Sequence, residues 1–447
     1  MVPVSDRDRR ATIFARSSGS GISGVAVLRL SGPQAVAATR GLITGSWMEP
    51  RQASLRYLRD PETGETIDQA LLLWFPAPAS FTGEDVVEIQ CHGSRAVLAD
   101  LYRILSRHPG CRPADPGEFT RRAFDNGRMD LTQVEALSDL LEAETAAQRR
   151  QAVHQMSGAL GQIYDGWRDR LVRCLAHVEA EIDFPEEDLP EDMLAPVRET
   201  VRLLQQEMNR HLDDGRRGER RREGFRLAIV GEPNVGKSRL LNALAQREAA
   251  IVSEIAGTTR DVIEVHLDLA GFPVMLADTA GLRETSDPVE REGVLRSRQR
   301  IAEADLVLHV FDARGGLPAE KIEANDIPVL LIANKTDLLA DPGKRQAGII
   351  GLSAVTGEGI AELLQAIIGR LDLDRSPDAE DTPLTRARHR QALELALVCL
   401  DRFQTAPLPE LAGEDLRLAM REIGRITGSV DVEDLLDVIF RDFCIGK

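Results

Sequence analysis

Residues 225–238 read FRLAIVGEPNVGKS, an apolar run of six followed by a full match to the pattern GxxxxGK[ST]. The run reads as a buried strand and the chain from Lys237 onward as a helix, so the motif lies at a strand-to-helix turn, the setting in which it cradles phosphates. Glycines at Gly231 and Gly236 let backbone amides turn inward around an anion. Lys237 brings a positive charge to β and γ phosphates, and the Ser238 hydroxyl suits a Mg²⁺ ion.

Working downstream, apolar strands over Val262–Leu269, Val274–Ala277, Leu306–Phe311 and Val329–Ala333 alternate with amphipathic helices. That alternation predicts a mostly parallel sheet with helices on both faces. Asp278–Gly281 reads DTAG: a carboxylate at a strand end can hold a metal through water, and the Gly281 amide can meet a γ-phosphate and so sense hydrolysis. Asn334–Asp337 reads NKTD, whose Asp337 carboxylate can accept two hydrogens from a guanine edge that adenine lacks. Ser353-Ala354 follows the next apolar run and backs the base. In this order the motifs define a GTPase of the translation-factor-like class, with Val235, Arg239, Thr279, Ala280, Asn334 and Lys335 completing the expected nucleotide contacts. SEIAGTTRD (253–261) occupies the place of a first switch, where Thr258 or Thr259 brings a hydroxyl to Mg²⁺. One residue type is missing. Gly281 is followed by Leu282, where Ras-like proteins have a water-orienting glutamine. Glu284, Asp287, Glu290 and Glu292 are the carboxylates that could replace it.

The flanks have different textures. In 11–110, strands are expected at Val25–Leu30, Ala70–Phe75 and Asp85–Gln90, a flexible turn at Gly19–Gly24 and a helix at Ser94–Ser106, an α+β region. From 118 to 214, leucine and alanine recur at three- and four-residue spacing, predicting long helices broken at Phe184-Pro185 and Leu189-Pro190. GRRGERRRE (215–223) reads as a charged hinge, either a solvated linker or a phosphate-contacting patch. A polar stretch at 372–386 marks a second boundary, and helical texture returns from Ala387 to Phe443. One helical domain with the nucleotide domain inserted into it is the simplest organisation.

The 447 residues suit two to four domains, with 43 % hydrophobic residues to build cores. A formal net charge of −17 argues against a broad basic surface for gripping nucleic acid. No run of eighteen apolar residues is present, so no transmembrane helix is expected, and the polar Met1–Arg10 has no secretory-signal pattern. The five cysteines, Cys91, Cys111, Cys174, Cys399 and Cys444, form no CxxC pair and suit a reducing cytoplasm. Gly446 and Lys447 do not fit a prenylation box around Cys444.

Together with SFTGEDVVEIQCHG (80–93), PGEFTRRAFDNGRMDLTQVEAL (116–137), IDFPEED (182–188), DTAGLRETSDPVEREG (278–293) and the terminal FCIGK, these motifs give the whole chain a resemblance to the MnmE (TrmE) family. That family comprises GTPases of transfer-RNA wobble-uridine modification. The resemblance implies a multidomain protein. An α+β folate-binding and dimerising domain spans 1–117, and an all-α helical domain spans 118–222 and 372–447. A Ras-like α/β P-loop G domain is inserted at 223–371. It also implies K⁺ held by Asn234, Ser253, Ile255 and Thr258, acting in the part of an arginine finger, and Mg²⁺ held by Ser238 and Thr259. Glu290 closes the family's DTAGLRExSDxVE motif as the catalytic glutamate, alongside Lys237. A tetrahydrofolate derivative, 5,10-methylene- or 5-formyl-, would meet Arg29, Glu88 and Arg128, with Lys447 nearby. Implied partners are a second copy of the chain, a flavoprotein of the MnmG kind giving a heterotetramer, and tRNA, with no membrane. The flavin would sit in that partner, because this chain shows no GxGxxG unit in a dinucleotide-fold context. The alternative is a ribosome-assembly GTPase switch without folate chemistry; its usual mark is a basic RNA-binding appendage.

Overall fold

The computed structural model describes residues 11–183, 194–213, 217–247, 264–278, 301–318, 327–339, 348–371 and 383–430, with Leu436, Ile439, Phe440, Phe443 and Gly446 beyond them. These fall into two compact units, one within Met1–Ser138, Gln155–Leu189 and Ala406–Lys447, the other within Asp139–His154 and Pro190–Thr405. The helices in chain order are α1 (Ala35–Leu42), α2 (Arg95–Arg107), α3 (Glu118–Asp125), α4 (Leu131–Glu142), α5 (Ala146–Met156) and α6 (Ala159–Asp183). They continue with α7 (Leu194–Leu212), α8 (Arg217–Glu223), α9 (Lys237–Arg247), α10 (Ile360–Arg370), α11 (Ala387–Thr405) and α12 (Pro409–Thr427). Among the described residues no helix is long and apolar enough to cross a membrane.

The first unit is built on β1 (Thr12–Arg16), β2 (Ser23–Ser31), β3 (Ser54–Arg59), β4 (Thr66–Phe75), β5 (Val86–Gly93) and β6 (Cys111–Pro113), in the order β3-β4-β5-β2-β1-β6. The expected strands lie within or across β2, β4 and β5. The expected helix is α2, opened by Ser94, whose Oγ accepts from the Val97 amide at 3.2 Å. Alternation sorts the sheet faces. Leu28, Leu30, Leu72, Ile89 and Cys91 turn to a core shared with Leu101 and Leu105 of α2. The neighbouring positions Val25, Leu55, Tyr57 and Leu71 are exposed. The flanking α6 and α12 pack closely where Gly413 admits Val178, and Arg417 of α12 pairs with Glu179 at 2.9 Å.

The second unit carries β7 (Phe225–Val230), β8 (Glu264–Leu269), β9 (Phe272–Asp278), β10 (Leu306–Asp312), β11 (Val329–Asn334) and β12 (Ile349–Gly351), in the order β12-β11-β10-β7-β9-β8. All neighbours are parallel except β8 and β9. From Leu227 to Val230 the apolar run of β7 is continuous because both its faces are covered there. Phe225, Leu227 and Ile229 join a cluster with Leu240, Leu244, Leu363 and Ile367 of α9 and α10. Ala228 and Val230 pack on the opposite side against Ile301 and Ala304.

The supposed hinge at 215–223 is different from its expectation. Its described part, Arg217–Glu223, is the helix α8, and its charges are consumed locally. Glu219 and Arg221 are buried, the Arg221 guanidinium lies 5.2 Å from the Phe272 ring centre, and Arg222 pairs with Asp139 at 2.9 Å. Glu219 meets Arg390 of α11 at 3.2 Å. Composition alone reads such a run as solvated, because Asp139 and Arg390 lie more than eighty residues away in sequence from the charges they meet.

Candidate nucleotide site

Parallel pairing brings the carboxyl ends of β7, β9, β10 and β11 to one edge of the sheet. Ile229 is in register with Asp278, and Asp312 with Asn334. Open α/β sheets bind ligands at that edge. The loop Gly231–Gly236 leaves β7 here and enters α9 at Lys237. Two glycines are sterically required. At Gly231 (φ +153°) a Cβ would run into the Val310 carbonyl, and at Gly236 (φ +101°) into the Asn334 side-chain amide. Between them Asn234 takes the left-handed conformation, φ +64°, which asparagine tolerates better than most residues. The two glycines thus let the loop pack directly on the end of β10 and on Asn334.

Lys237 is buried, and its Nζ is held over the loop by the carbonyls of Gly231 and Glu232, each at 3.0 Å. Val235 is buried beneath the loop, whereas Ser238 and Arg239, in the first turn of α9, are exposed. The Ser238 hydroxyl therefore sits at an accessible helix start beneath an anion cradle, which fits a Mg²⁺ ligand. Asp278 ends β9 at the same edge.

Asn334 is the brace of the site. Only 2 % exposed, it donates from Nδ2 to the Val235 carbonyl at 2.7 Å. Its Oδ1 accepts from the Lys335 amide at 2.8 Å and the Ala354 amide at 3.0 Å. One side chain thereby joins the phosphate loop, the NKTD turn and the Ser353-Ala354 loop. Ser353 is also fully buried, its Oγ accepting from the Val355 and Thr356 amides at 3.3 and 3.2 Å, so it shapes the turn from behind. Lys335, at φ +68°, reaches back to the Asn234 carbonyl at 2.8 Å. Asp337 is exposed in the short 3₁₀ turn Thr336–Leu338, as a base-reading carboxylate must be. Asp312, which sequence reasoning passed over, bonds both Lys335 and Arg314. Its one signal was an aspartate at a strand end beside the NKTD strand.

Ser253, Ile255, Thr258, Thr259, Thr279, Ala280, Gly281 and the carboxylates Glu284, Asp287, Glu290 and Glu292 lie outside the described residues, as do Cys444 and Lys447.

The second set of candidates gathers on the first unit's sheet. Arg29 and Glu88 are register partners on β2 and β5, and both Nε and Nη2 of Arg29 donate to one Glu88 oxygen, at 3.0 and 2.9 Å. The guanidinium lies 5.3 Å from the Phe81 ring centre and 5.8 Å from that of Phe119. Arg128 is exposed, its stem running past Gly83 in the loop that carries Phe81. The chain end is tied to the same sheet. Ser17 Oγ donates to the Gly446 carbonyl at 2.8 Å, and the Ser17 amide donates to Val27 of β2. Burial pushes the thiols of Cys91 and Cys111 up to about 11, so neither is a thiolate near neutral pH.

A family model described as MnmE helical domain matches residues 131–444, and one described as GTP-binding protein TrmE N-terminus matches residues 12–128. A tRNA modification GTPase MnmE of Parvibaculum lavamentivorans is 55 % identical over 445 residues, covering 98 % of this chain and 100 % of that one. Its counterpart in Rhodospirillum rubrum is 53 % identical over 455 residues, covering 98 % and 99 %. The mitochondrial 5-taurinomethyluridine-[tRNA] synthase subunit GTPB3 of Danio rerio is 49 % identical over 470 residues, covering 98 % and 93 %.

Proposed function

The chain belongs to the TrmE/MnmE family of GTP-binding proteins, and from that premise we propose that it is a GTP hydrolase acting in the modification of wobble uridine in transfer RNA. The observation that carries the hydrolase half is the brace at Asn334, which holds a left-handed, glycine-bounded phosphate loop beside a guanine-reading turn. Nearly full-length identity to tRNA modification GTPases carries the other half.

In this reading residues 223–371 are the G domain, inserted between helical parts at 118–222 and 372–447, with 1–117 as the folate-binding and dimerising domain. The amides of the phosphate loop bind the β-phosphate, and Lys237 releases its two carbonyl contacts to meet the β and γ oxygens. Asp337 accepts the guanine hydrogens. Glu290 orders the attacking water. Ser238 and Thr259 would hold Mg²⁺, and Asn234, with Ser253, Ile255 and Thr258, would hold K⁺. Both ions supply positive charge against the phosphate oxygens. Asn234 suits the role, because it is exposed in the phosphate loop and carries an amide oxygen.

A reduced folate at Arg29, Glu88 and Arg128, beside Lys447, would supply the one-carbon unit. The half-buried Arg29–Glu88 pair beside the half-buried Phe81 offers a pterin one aromatic wall and a carboxylate partner. The exposed Val25, Leu55, Tyr57 and Leu71 on the sheet face opposite the core support pairing with a second copy. A flavoprotein of the MnmG kind and tRNA complete the proposed assembly, in the cytoplasm.

The test is the nucleoside content of tRNA from cells lacking the chain and from cells carrying Glu88→Ala. Loss of the C5-modified wobble uridine in both is expected. Unchanged tRNA in the deletion overturns the function; a deletion defect with intact modification in Glu88→Ala overturns the folate assignment alone. A second expectation concerns the cation. GTP turnover in potassium should exceed that in sodium by about tenfold or more, a barrier change of about 1.4 kcal/mol. Equal steady-state rates in the two salts would remove K⁺ from the site.

A further inference from the structure

We propose that Asp312 is a positioning residue, holding Lys335 across the nucleotide site and thereby tying the guanine-reading turn to the phosphate loop at Asn234. Asp312 closes β10 in register with Asn334 of β11, so its carboxylate lies beside the backbone of Lys335. Its Oδ2 accepts from Lys335 Nζ at 2.9 Å, while the same Nζ donates to the Asn234 carbonyl at 2.8 Å. The Lys335 ammonium is therefore shared by two acceptors, one at the end of β10 and one in the phosphate loop. Its backbone is left-handed, φ +68°, a conformation that lysine adopts only where its surroundings impose it.

The carboxylate is itself held. Arg314 donates from Nε to Oδ1 at 3.0 Å and from Nη2 to Oδ2 at 2.7 Å, and its backbone amide donates to Oδ1 at 3.1 Å. Such a forked grip fixes orientation as well as charge. The Arg314 bonds, with Lys335 next, hold the Asp312 carboxyl well below the usual carboxylate range, so it stays an anion throughout the working pH range. One carboxylate thereby organises both cations. The pairing with Lys335 could not be assigned from the sequence, because Asp312 stands 23 residues away.

This inference rests on the guanine-nucleotide reading, and the experiment separates the two. GDP affinity is measured by calorimetry on the full chain for wild type, Asp312→Ala, Lys335→Ala and the double variant. Asp312→Ala should weaken GDP about tenfold, the effect of losing one charge-assisted hydrogen bond. Its further effect in the Lys335→Ala background should be close to nil, because it acts through that lysine. Asp312→Asn, which keeps an oxygen for Nζ, should recover most of the affinity, whereas a general structural defect would not discriminate between Asn and Ala. Affinity of Asp312→Ala within about twofold of wild type, or an undiminished loss in the double variant, overturns the proposal. A wild type that binds no GDP overturns the nucleotide reading beneath it.

Discussion

Glu290→Ala is expected to lower single-turnover GTP hydrolysis by roughly 10²- to 10⁴-fold, about 3–5 kcal/mol of barrier, while GTP affinity stays near wild type. The argument starts from Leu282, which cannot orient a water where Ras-like proteins use glutamine. Four carboxylates follow within ten residues. Glu284 and Asp287 precede Pro288, in a stretch expected to be a turn. Glu290 and Glu292 stand where the sequence expects a helix to begin, a place that can be held firmly once the switch closes. The family's motif selects Glu290. A carboxylate accepts a hydrogen from water without adding positive charge, which leaves charge neutralisation to Lys237 and the metal ions. Glu290 lies outside the described residues, so the kinetics decide it. A rate within about threefold of wild type at saturating GTP and potassium hands the role to Glu284, Asp287 or Glu292.

Asn334→Ala is expected to weaken guanine-nucleotide binding by about 100-fold or more and to lower the unfolding midpoint of the nucleotide-free protein. Three hydrogen bonds from one 2 %-exposed side chain are lost, to Val235, Lys335 and Ala354. A buried backbone group left unpaired costs about 1–3 kcal/mol, so the total reaches about 3 kcal/mol or more. The affinity loss comes from the phosphate loop and the Ala354 loop no longer being held in their binding arrangement. Nucleotide affinity and midpoint both unchanged would show that the three loops are held by something other than Asn334.

The site divides into what contiguous sequence encodes and what pairing assembles. GEPNVGKS specifies a loop conformation within eight residues, and Gly231 and Gly236 are glycine for a reason that the structure then displays. The NKTD pattern gives Asp337 as the expected base reader; that Asn334 also braces three loops, with partners spanning residues 235 to 354, is seen only in the structure. Asp312 was not legible at all. An aspartate after an apolar run is ordinary, and only the parallel register of β10 with β11 makes it a neighbour of Lys335.

By itself the amino-acid sequence determined five of the six described strands of the nucleotide-site sheet, the position and polarity of the phosphate loop, the helical texture of the flanks, and the family. These depend on short-range patterns: a period of two or 3.6, a glycine where φ must be positive, a carboxylate at a fixed offset. Only the tertiary structure decided that 217–223 is a helix with its charges turned to Asp139, Phe272 and Arg390. It likewise decided that Arg29 meets Glu88 fifty-nine positions away and that the chain end is tied to Ser17. Charge and polarity announce that a group needs a partner. Which partner it finds is set by strand register and helix packing, and those are properties of the whole fold.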